Sequence, residues 1–278
     1  MSFKIVVDSC CELPEKYASD PRVESVPLTI DVGGREVVDD ETFDQKLFLK
    51  WIAECPTVAK SACPSPERYK QAFEADAFDV YVVTLSSKLS GSYNSAVLGR
   101  QMYLDSGKEK NIYICDSEAA VCGEGNVAWK AFELAESGLP FAEVVTKLEA
   151  FRDENKTYFV LENLETLRKN GRLTGVKALV ASTLSIKPVM SALKGDIIQK
   201  GQAIGIKKAL AKMVDIVISE RPDSVASRLM IAHCNNLERA HEVKKMLEAK
   251  ANYKEIIIVG TKGISTLYSN DGGVVIGV

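Results

Sequence analysis

The sequence predicts an α/β protein of two domains, each with mostly parallel sheets flanked by helices, and a ligand cleft between them. Three observations carry this. Apolar runs of strand length alternate with segments of helical period along the chain. Several runs are apolar throughout rather than alternating, as in Val80-Tyr81-Val82-Val83, which suits strands covered on both faces. The 278 residues suffice for one large domain or two modest ones.

Strands are predicted over residues 3–8, 25–30, 78–85, 111–116, 157–161, 185–190, 228–232, 254–259 and 274–278. Helix signals lie between them. Thr42-Phe43-Asp44-Gln45 reads as a capping box opening a helix towards Glu54. Ser65-Pro66 reads as an N-cap followed by proline in the first helical position. Residues 141–154 read as a closing helix, after which 157–161 crosses into a second set of strands. Ile206, Leu210, Met213 and Val217 repeat at three to four residues and give one apolar helical face. The boundary is expected near 160, with domains 1–160 and 161–278.

Composition narrows the function classes. Hydrophobic residues make up 46% and charged residues 26%, ordinary values for a chain with a packed core. The net charge of -3 argues against nucleic acid as the main partner, since phosphate binding needs a basic face. The N-terminus, Met1-Ser2-Phe3-Lys4, does not resemble a signal peptide. No apolar run reaches the roughly 18 residues of a membrane span. Seven cysteines, none in a C-x-x-C pair, and two histidines give no metal-site spacing. The expectation is a cytoplasmic protein with reduced thiols, no metal and no cofactor.

Four segments could carry chemistry. Residues 84–96, Thr-Leu-Ser-Ser-Lys-Leu-Ser-Gly-Ser-Tyr-Asn-Ser-Ala, follow a buried strand and precede a helix. Ser90 sits where an N-cap would, Gly91 permits close approach to the backbone, and the first helical turn offers free N–H groups to an anion. The plainer alternative is an ordinary serine-rich cap. Ser61 precedes Pro64 and Pro66 on a stiffened loop, where it is either a presented hydroxyl or a solvated one. Asp8-Ser9 and Asp116-Ser117 end strands, the place where open α/β sheets gather ligands, or else cap the segments that follow. In residues 161–173, Asn170-Gly171 reads as an αL helix stop, and Arg168, Lys169 and Arg172 as solvent-facing charges. His233, after Leu229-Met230-Ile231-Ala232, is a base at a strand end or a locally bonded ring. No G-x-S-x-G elbow and no Walker loop occur, and no catalytic set is identified.

Taken in order, these segments resemble the DegV family over essentially the whole chain. The resemblance rests on Asp8-Ser9, Ser61-x-x-Pro64-Ser65-Pro66, Leu85-Ser86-Ser87-x-Leu89-Ser90-Gly91-Ser92-Tyr93, Asp116-Ser117, Leu164-x-x-Leu167-x-x-x-Gly171-Arg172, Lys187-Pro188 and His233. It implies two α/β domains with a long-chain fatty acid between them. Residues 1–160 would carry the carboxylate-binding loops and 161–278 would cover the acyl chain. It further implies that Ser61, at a position usually threonine, and Ser90 contact the carboxylate, with the Gly91–Ser92 backbone completing the cradle. Asp8, Ser9, Asp116, Ser117 and His233 would be supporting residues. In bacteria with a fatty acid kinase, such a protein is a carrier, not an enzyme, and presents the carboxylate for phosphorylation. The sequence departs from the family pattern at Ile204, where a basic residue is common, and at residues 268–273, which lack the usual histidine. The alternatives are a phosphotransferase or hydrolase working at the Ser90 loop, or a lipid-dependent regulatory module.

Overall fold

Continuously apolar strands need cover on both faces, and the strands of this protein obtain it from helices on the outside and from a central helix and the opposing sheet on the inside. The computed structural model describes residues 2–173, 185–221 and 228–278. The strands are β1 (Phe3–Asp8), β2 (Val23–Val26), β3 (Thr29–Val32), β4 (Arg35–Val38), β5 (Lys60–Ala62), β6 (Asp79–Thr84), β7 (Asn111–Asp116), β8 (Thr157–Val160), β9 (Ile186–Leu193), β10 (Asp196–Ile204), β11 (Arg228–His233), β12 (Glu255–Gly260) and β13 (Val274–Gly277). The helices are α1 (Glu15–Ala18), α2 (Gln45–Glu54), α3 (Pro66–Ala72), α4 (Ser92–Asp105), α5 (Cys122–Glu136), α6 (Phe141–Glu154), α7 (Glu165–Lys169), α8 (Ile206–Glu220), α9 (Leu237–Glu248) and α10 (Gly263–Ser269).

Among the described residues the strands form three sheets: β2-β1-β6-β7, β10-β9-β8-β13-β11-β12, and a small β4-β3-β5. On the outer face of the first sheet, Val6, Val80, Val82 and Ile114 pack with Tyr69 of α3 and Ala96 of α4. On the outer face of the second, Tyr158, Val160, Ile231 and Ile276 pack with Leu210, Met213 and Val217 of α8 and with Val243 of α9. The inner faces share one core that joins Ile5, Val7 and Val83 to Phe159, Met190, Met230 and Val275. Helix α5 lies in this middle layer, buried along most of its length, as a helix enclosed on all sides must be. Its close fit depends on small residues: a Cβ on Gly277 would stand 2.7 Å from the Cys122 carbonyl oxygen, and one on Gly125 2.1 Å from that of Glu12.

The α/β class and the flanking helices match the expectation, and so do the bounds of α6, the Ser65–Pro66 start of α3 and the apolar face of α8. Strand direction needs correction. The four-stranded sheet is wholly parallel. In the six-stranded sheet only the β11–β12 pair is parallel, and the other four pairings are antiparallel. Residues 25–30 are not one strand: Pro27 and Leu28 separate β2 from β3, which belong to different sheets. β4, β5 and β10 were not expected, being short or largely exposed. Thr42 does not cap α2; the Asp44 carboxylate does, accepting from the Leu47 N–H at 3.0 Å, while Thr42 bonds Asp40. β8 pairs with β13 and β9, so the change of sheet falls just before Thr157.

Candidate ligand-binding site

Between the two large sheets lies a cavity of about 360 Å³, within the usual range for a small-molecule site. One wall consists of loops at the carboxyl ends of the parallel strands: Cys10 after β1, Leu85 and Leu89 to Gly91 after β6, and Ala119 to Val121 after β7. Ligands gather at such ends in open α/β sheets. The opposite wall is a strand face. Thr157, Phe159 and Leu161, at alternate positions, turn towards the cavity, with Val275 of β13 and Ile197 of β10. Most lining side chains are apolar.

Polar groups collect at one end. Ser61 of β5 and Tyr268 of α10 have their hydroxyls 2.9 Å apart. The Arg172 guanidinium lies 5.8 Å from the Tyr268 ring centre and donates to the carbonyls of Leu89, at 3.2 Å, and Asn170, at 2.5 Å. Among the described residues no carboxylate pairs with it. Ser90 and Gly91 complete this end. A Cβ on Gly91 would meet the Cys63 Sγ at 3.0 Å, so the Ser61 loop packs directly on the start of α4.

Carboxylates behind the wall hold these loops. Asp8 accepts from the Cys10 N–H at 3.1 Å, the Leu85 N–H at 2.9 Å and the Ser92 hydroxyl at 2.7 Å. It thereby ties β1 to both ends of the Ser90 loop. Asp116 accepts from the N–H groups of Ser87 and Glu118, both at 3.1 Å. The Ser9 hydroxyl accepts from the Leu28 N–H at 3.0 Å, and the Ser117 hydroxyl accepts from the Ala119 N–H at 3.2 Å. At the start of α10, Glu12 accepts from the Lys262 N–H at 2.6 Å, and Asp39 from the N–H groups of Gly263 and Ile264 at 2.7 and 2.8 Å. Burial raises Asp8 to about 6 and Glu12 to about 8. Glu124 of α5 is fully buried, and neither carboxyl oxygen has a hydrogen-bond partner among the described residues. Burial, then the charge of Asp8, holds its carboxyl well above the ordinary range.

The structure therefore brings Ser61, Ser90 and Gly91 to the cavity wall and sets the other predicted residues behind or away from it. Ser92 is enclosed. Its hydroxyl bonds Asp8 and, at 2.6 Å, the Tyr69 hydroxyl, and its N–H donates to the Ser90 Oγ at 3.3 Å. The N-cap of α4 is Gly91 rather than Ser90. Asp8, Ser9, Asp116 and Ser117 brace loops and do not line the cavity. His233 also lies off the wall: its Nδ1 accepts from the Asn236 N–H at 3.2 Å, and burial, then His241, lowers its pKa. Arg172 and Tyr268 were missed as site residues. Arg172 read as a surface charge because Arg168 and Lys169 beside it are one, both paired with Glu165. The signal lay in Gly171, whose φ of 73° reverses the chain after α7 and turns Arg172 inward. Ile204 is exposed at the end of β10, away from the cavity. Among the described residues no acidic, histidine or cysteine cluster could hold a metal, and no helix is long and apolar enough to cross a membrane.

Comparison with known proteins agrees over the full length. A family model described as an uncharacterised protein of the DegV family matches residues 2–278. A DegV domain-containing protein of Streptococcus gordonii is 32% identical over 280 residues, covering 100% of this chain and 99% of its own. A DegV family crystal structure from Ruminococcus gnavus, refined with vaccenic acid, superposes with a TM-score of 0.96 at 47% identity, covering 100% of this chain and 99% of the other. The Streptococcus pneumoniae fatty acid kinase B3 protein, loaded with linoleic acid, superposes with a TM-score of 0.90 at 31% identity, with the same coverage of both chains.

Proposed function

This chain belongs to the DegV family, and we propose that it is a fatty acid carrier which buries a long acyl chain and presents its carboxylate to a fatty acid kinase. The observation that carries the reading is the polarity of the cavity: apolar along its length, with Ser61, Tyr268, Ser90 and Arg172 at one end, the last with no carboxylate partner among the described residues. Hydroxyls and a guanidinium suit an oxyanion, and each hydrogen bond to a charged group is worth about 1.5–3 kcal/mol. The chain contributes about 0.8 kcal/mol per buried CH₂ before ordering costs. Arg172 supplies a cation that the sequence departures had left unassigned.

In this reading Ser61, Ser90 and Gly91 meet the carboxylate with Tyr268 and Arg172, and Asp8, Ser92 and Asp116 hold them in position. Residues 1–156 carry the cradle loops, and residues from Thr157 onward cover the acyl chain and return Arg172 and Tyr268 to the cradle. A carrier rather than a catalyst is the role supported by the fatty-acid-loaded structural neighbours. The kinase partner is supported by the S. pneumoniae neighbour, whose name joins it to that enzyme. A cytoplasmic place is supported by seven cysteines that are all free.

Titration of delipidated protein with a fatty acid and with its methyl ester tests the reading. The ester keeps the chain and removes the charge, so the acid should bind at least about tenfold more tightly. Equal affinity for acid and ester would remove the cradle assignment. Absence of any binding would remove the carrier.

A further inference from the structure

Ser61 and Tyr268 are held in place by separate parts of the fold. Ser61 is fixed on β5, where it pairs with Ile30 of β3, and the nearby Ala59 carbonyl accepts from the Asn170 Nδ2 at 3.0 Å. Tyr268 is fixed on α10, whose first N–H groups are held by Asp39. Its own carbonyl accepts from the Asn270 Nδ2 at 3.2 Å. The two hydroxyls, 207 positions apart in the chain, meet at 2.9 Å on the cavity wall. Only one proton can lie between them. A phenol is the stronger acid and an aliphatic hydroxyl oxygen the stronger acceptor, so Tyr268 donates and Ser61 accepts. The Ser61 proton is then left to point into the cavity. Ser90 is treated in the same way: its Oγ accepts from the Ser92 N–H at 3.3 Å, which leaves its own proton for the cavity. Arg172, beside them, can only donate.

We infer that Tyr268 is a positioning residue that sets the head-group specificity of the site: by donating to Ser61 it turns that serine into a donor. The cradle then presents protons alone. It selects a head group that only accepts, the carboxylate, against one of the same shape that also donates, the primary amide. The inference rests on the carrier reading above and narrows the part of Tyr268 in it to an action through Ser61. A donor that faces a donor leaves both unpaired, and that costs more than an ordinary hydrogen bond gains. Polarisation along the chain from Tyr268 through Ser61 to the carboxylate also strengthens the bond to the acid.

The experiment measures dissociation constants of delipidated protein for hexadecanoic acid and for hexadecanamide. Wild type is compared with Tyr268→Phe, Ser61→Ala and the double variant. Phenylalanine keeps the ring on which the Arg172 guanidinium lies and removes the hydroxyl alone. Expected in Tyr268→Phe is a loss of about three- to tenfold for the acid, with the amide bound as before or more tightly. The preference for acid over amide should fall by about tenfold. In the Ser61→Ala background the same substitution should move the acid by less than about twofold, because no serine is left to turn. An equal loss for acid and amide overturns the inference, since the hydroxyl then serves only the fold. So does an equal loss with and without Ser61, since Tyr268 then meets the carboxylate by itself. Unchanged affinity of Tyr268→Phe for the acid overturns it as well. Failure of wild type to bind hexadecanoic acid removes the carrier reading, and the inference with it.

Discussion

The two walls of the cavity are built by opposite means. The wall from the parallel sheet is made of loops anchored by carboxylates, the buried Asp8 and the half-buried Asp116, beneath the Ser90 and Glu118 turns. The wall from the six-stranded sheet is made of strand faces, where alternation alone turns Thr157, Phe159 and Leu161 inward. Loops can aim backbone and hydroxyl groups at a small charged target, and their conformation must be held by groups outside the site. Strand faces need no such anchors, and they offer an acyl chain little beyond carbon. Recognition of the head group and acceptance of the tail therefore respond differently to mutation.

The largest effect should come from breaking the loop wall at its anchor. Asp8→Ala leaves the Leu85 and Cys10 N–H groups and the Ser92 hydroxyl without their acceptor. We expect a loss of about 3–5 kcal/mol in urea denaturation, with fatty acid binding abolished. A variant of near wild-type stability would mean that the loop holds itself.

The strand wall has a counterpart where β8 meets the central helix. A Cβ on Gly123 would stand 2.0 Å from the Thr157 Oγ1, so Gly123→Ala should force β8 outward at a cost of about 1–3 kcal/mol. Because this moves the tail end and not the cradle, thermal stability and acyl-chain affinity should fall together, while the preference for acid over ester persists. Loss of that preference would show the two walls to be one cooperative unit.

Within the cradle, Ser61→Ala and Ser90→Ala should each weaken binding of the acid by about tenfold or more, one charge-assisted hydrogen bond apiece. Stability should stay within about 0.5 kcal/mol, because among the described residues the Ser61 hydroxyl bonds only Tyr268 and the Ser90 hydroxyl receives one long bond from Ser92. Isothermal titration and thermal melts separate the two quantities, and normal affinity in both variants would reduce these serines to a loop residue and a turn.

The smallest effect is one of pH. Burial raises Glu12 from 4.5 to about 8, so the folded chain keeps a proton there that the unfolded chain releases. The folded state binds more protons between those values, and stability therefore falls as pH rises from about 4.5 to about 8. Asp8, raised from 3.8 to about 6, acts in the same sense over its own, lower window. Above pH 6 the slope isolates Glu12 from Asp8. Glu12→Gln keeps an acceptor for the Lys262 N–H and cannot ionise. It should gain about 1 kcal/mol or more on wild type as pH rises, measured by chemical denaturation at intervals up to pH 9. A gap that does not widen with pH would show Glu12 to be ionised in the folded chain at neutral pH.

Local chemistry was legible wherever the signal was local. Pro66 after Ser65, the apolar run of β6, the helix of residues 141–154 and the Gly171 stop depend on neighbours in sequence, and all stand as read. Two hairpins carried a readable sign that was passed over: Gly33-Gly34 between β3 and β4, and Lys194-Gly195 between β9 and β10, each with two successive positive φ angles. The family resemblance pointed to Ser61, Ser90 and Gly91, all three on the cavity wall. The direction of the strands in the second sheet was not legible, because a buried strand reads the same whichever way its neighbour runs.

The sequence by itself determined the α/β class, most of the strands and helices, and the two serine-bearing loops, since periodicity, capping and turn chemistry act over a few residues. Only the tertiary structure decided which groups share the site. Arg172 and Tyr268 reach the Ser61–Ser90 end from the other side of the cavity, and Asp8 lies 77 residues from the Leu85 N–H that it holds. Ser92, adjacent to Gly91, faces the buried carboxylate instead of the ligand space. Which side of a turn a residue occupies depends on what packs against it, and that partner comes from a distant segment which folding alone brings near.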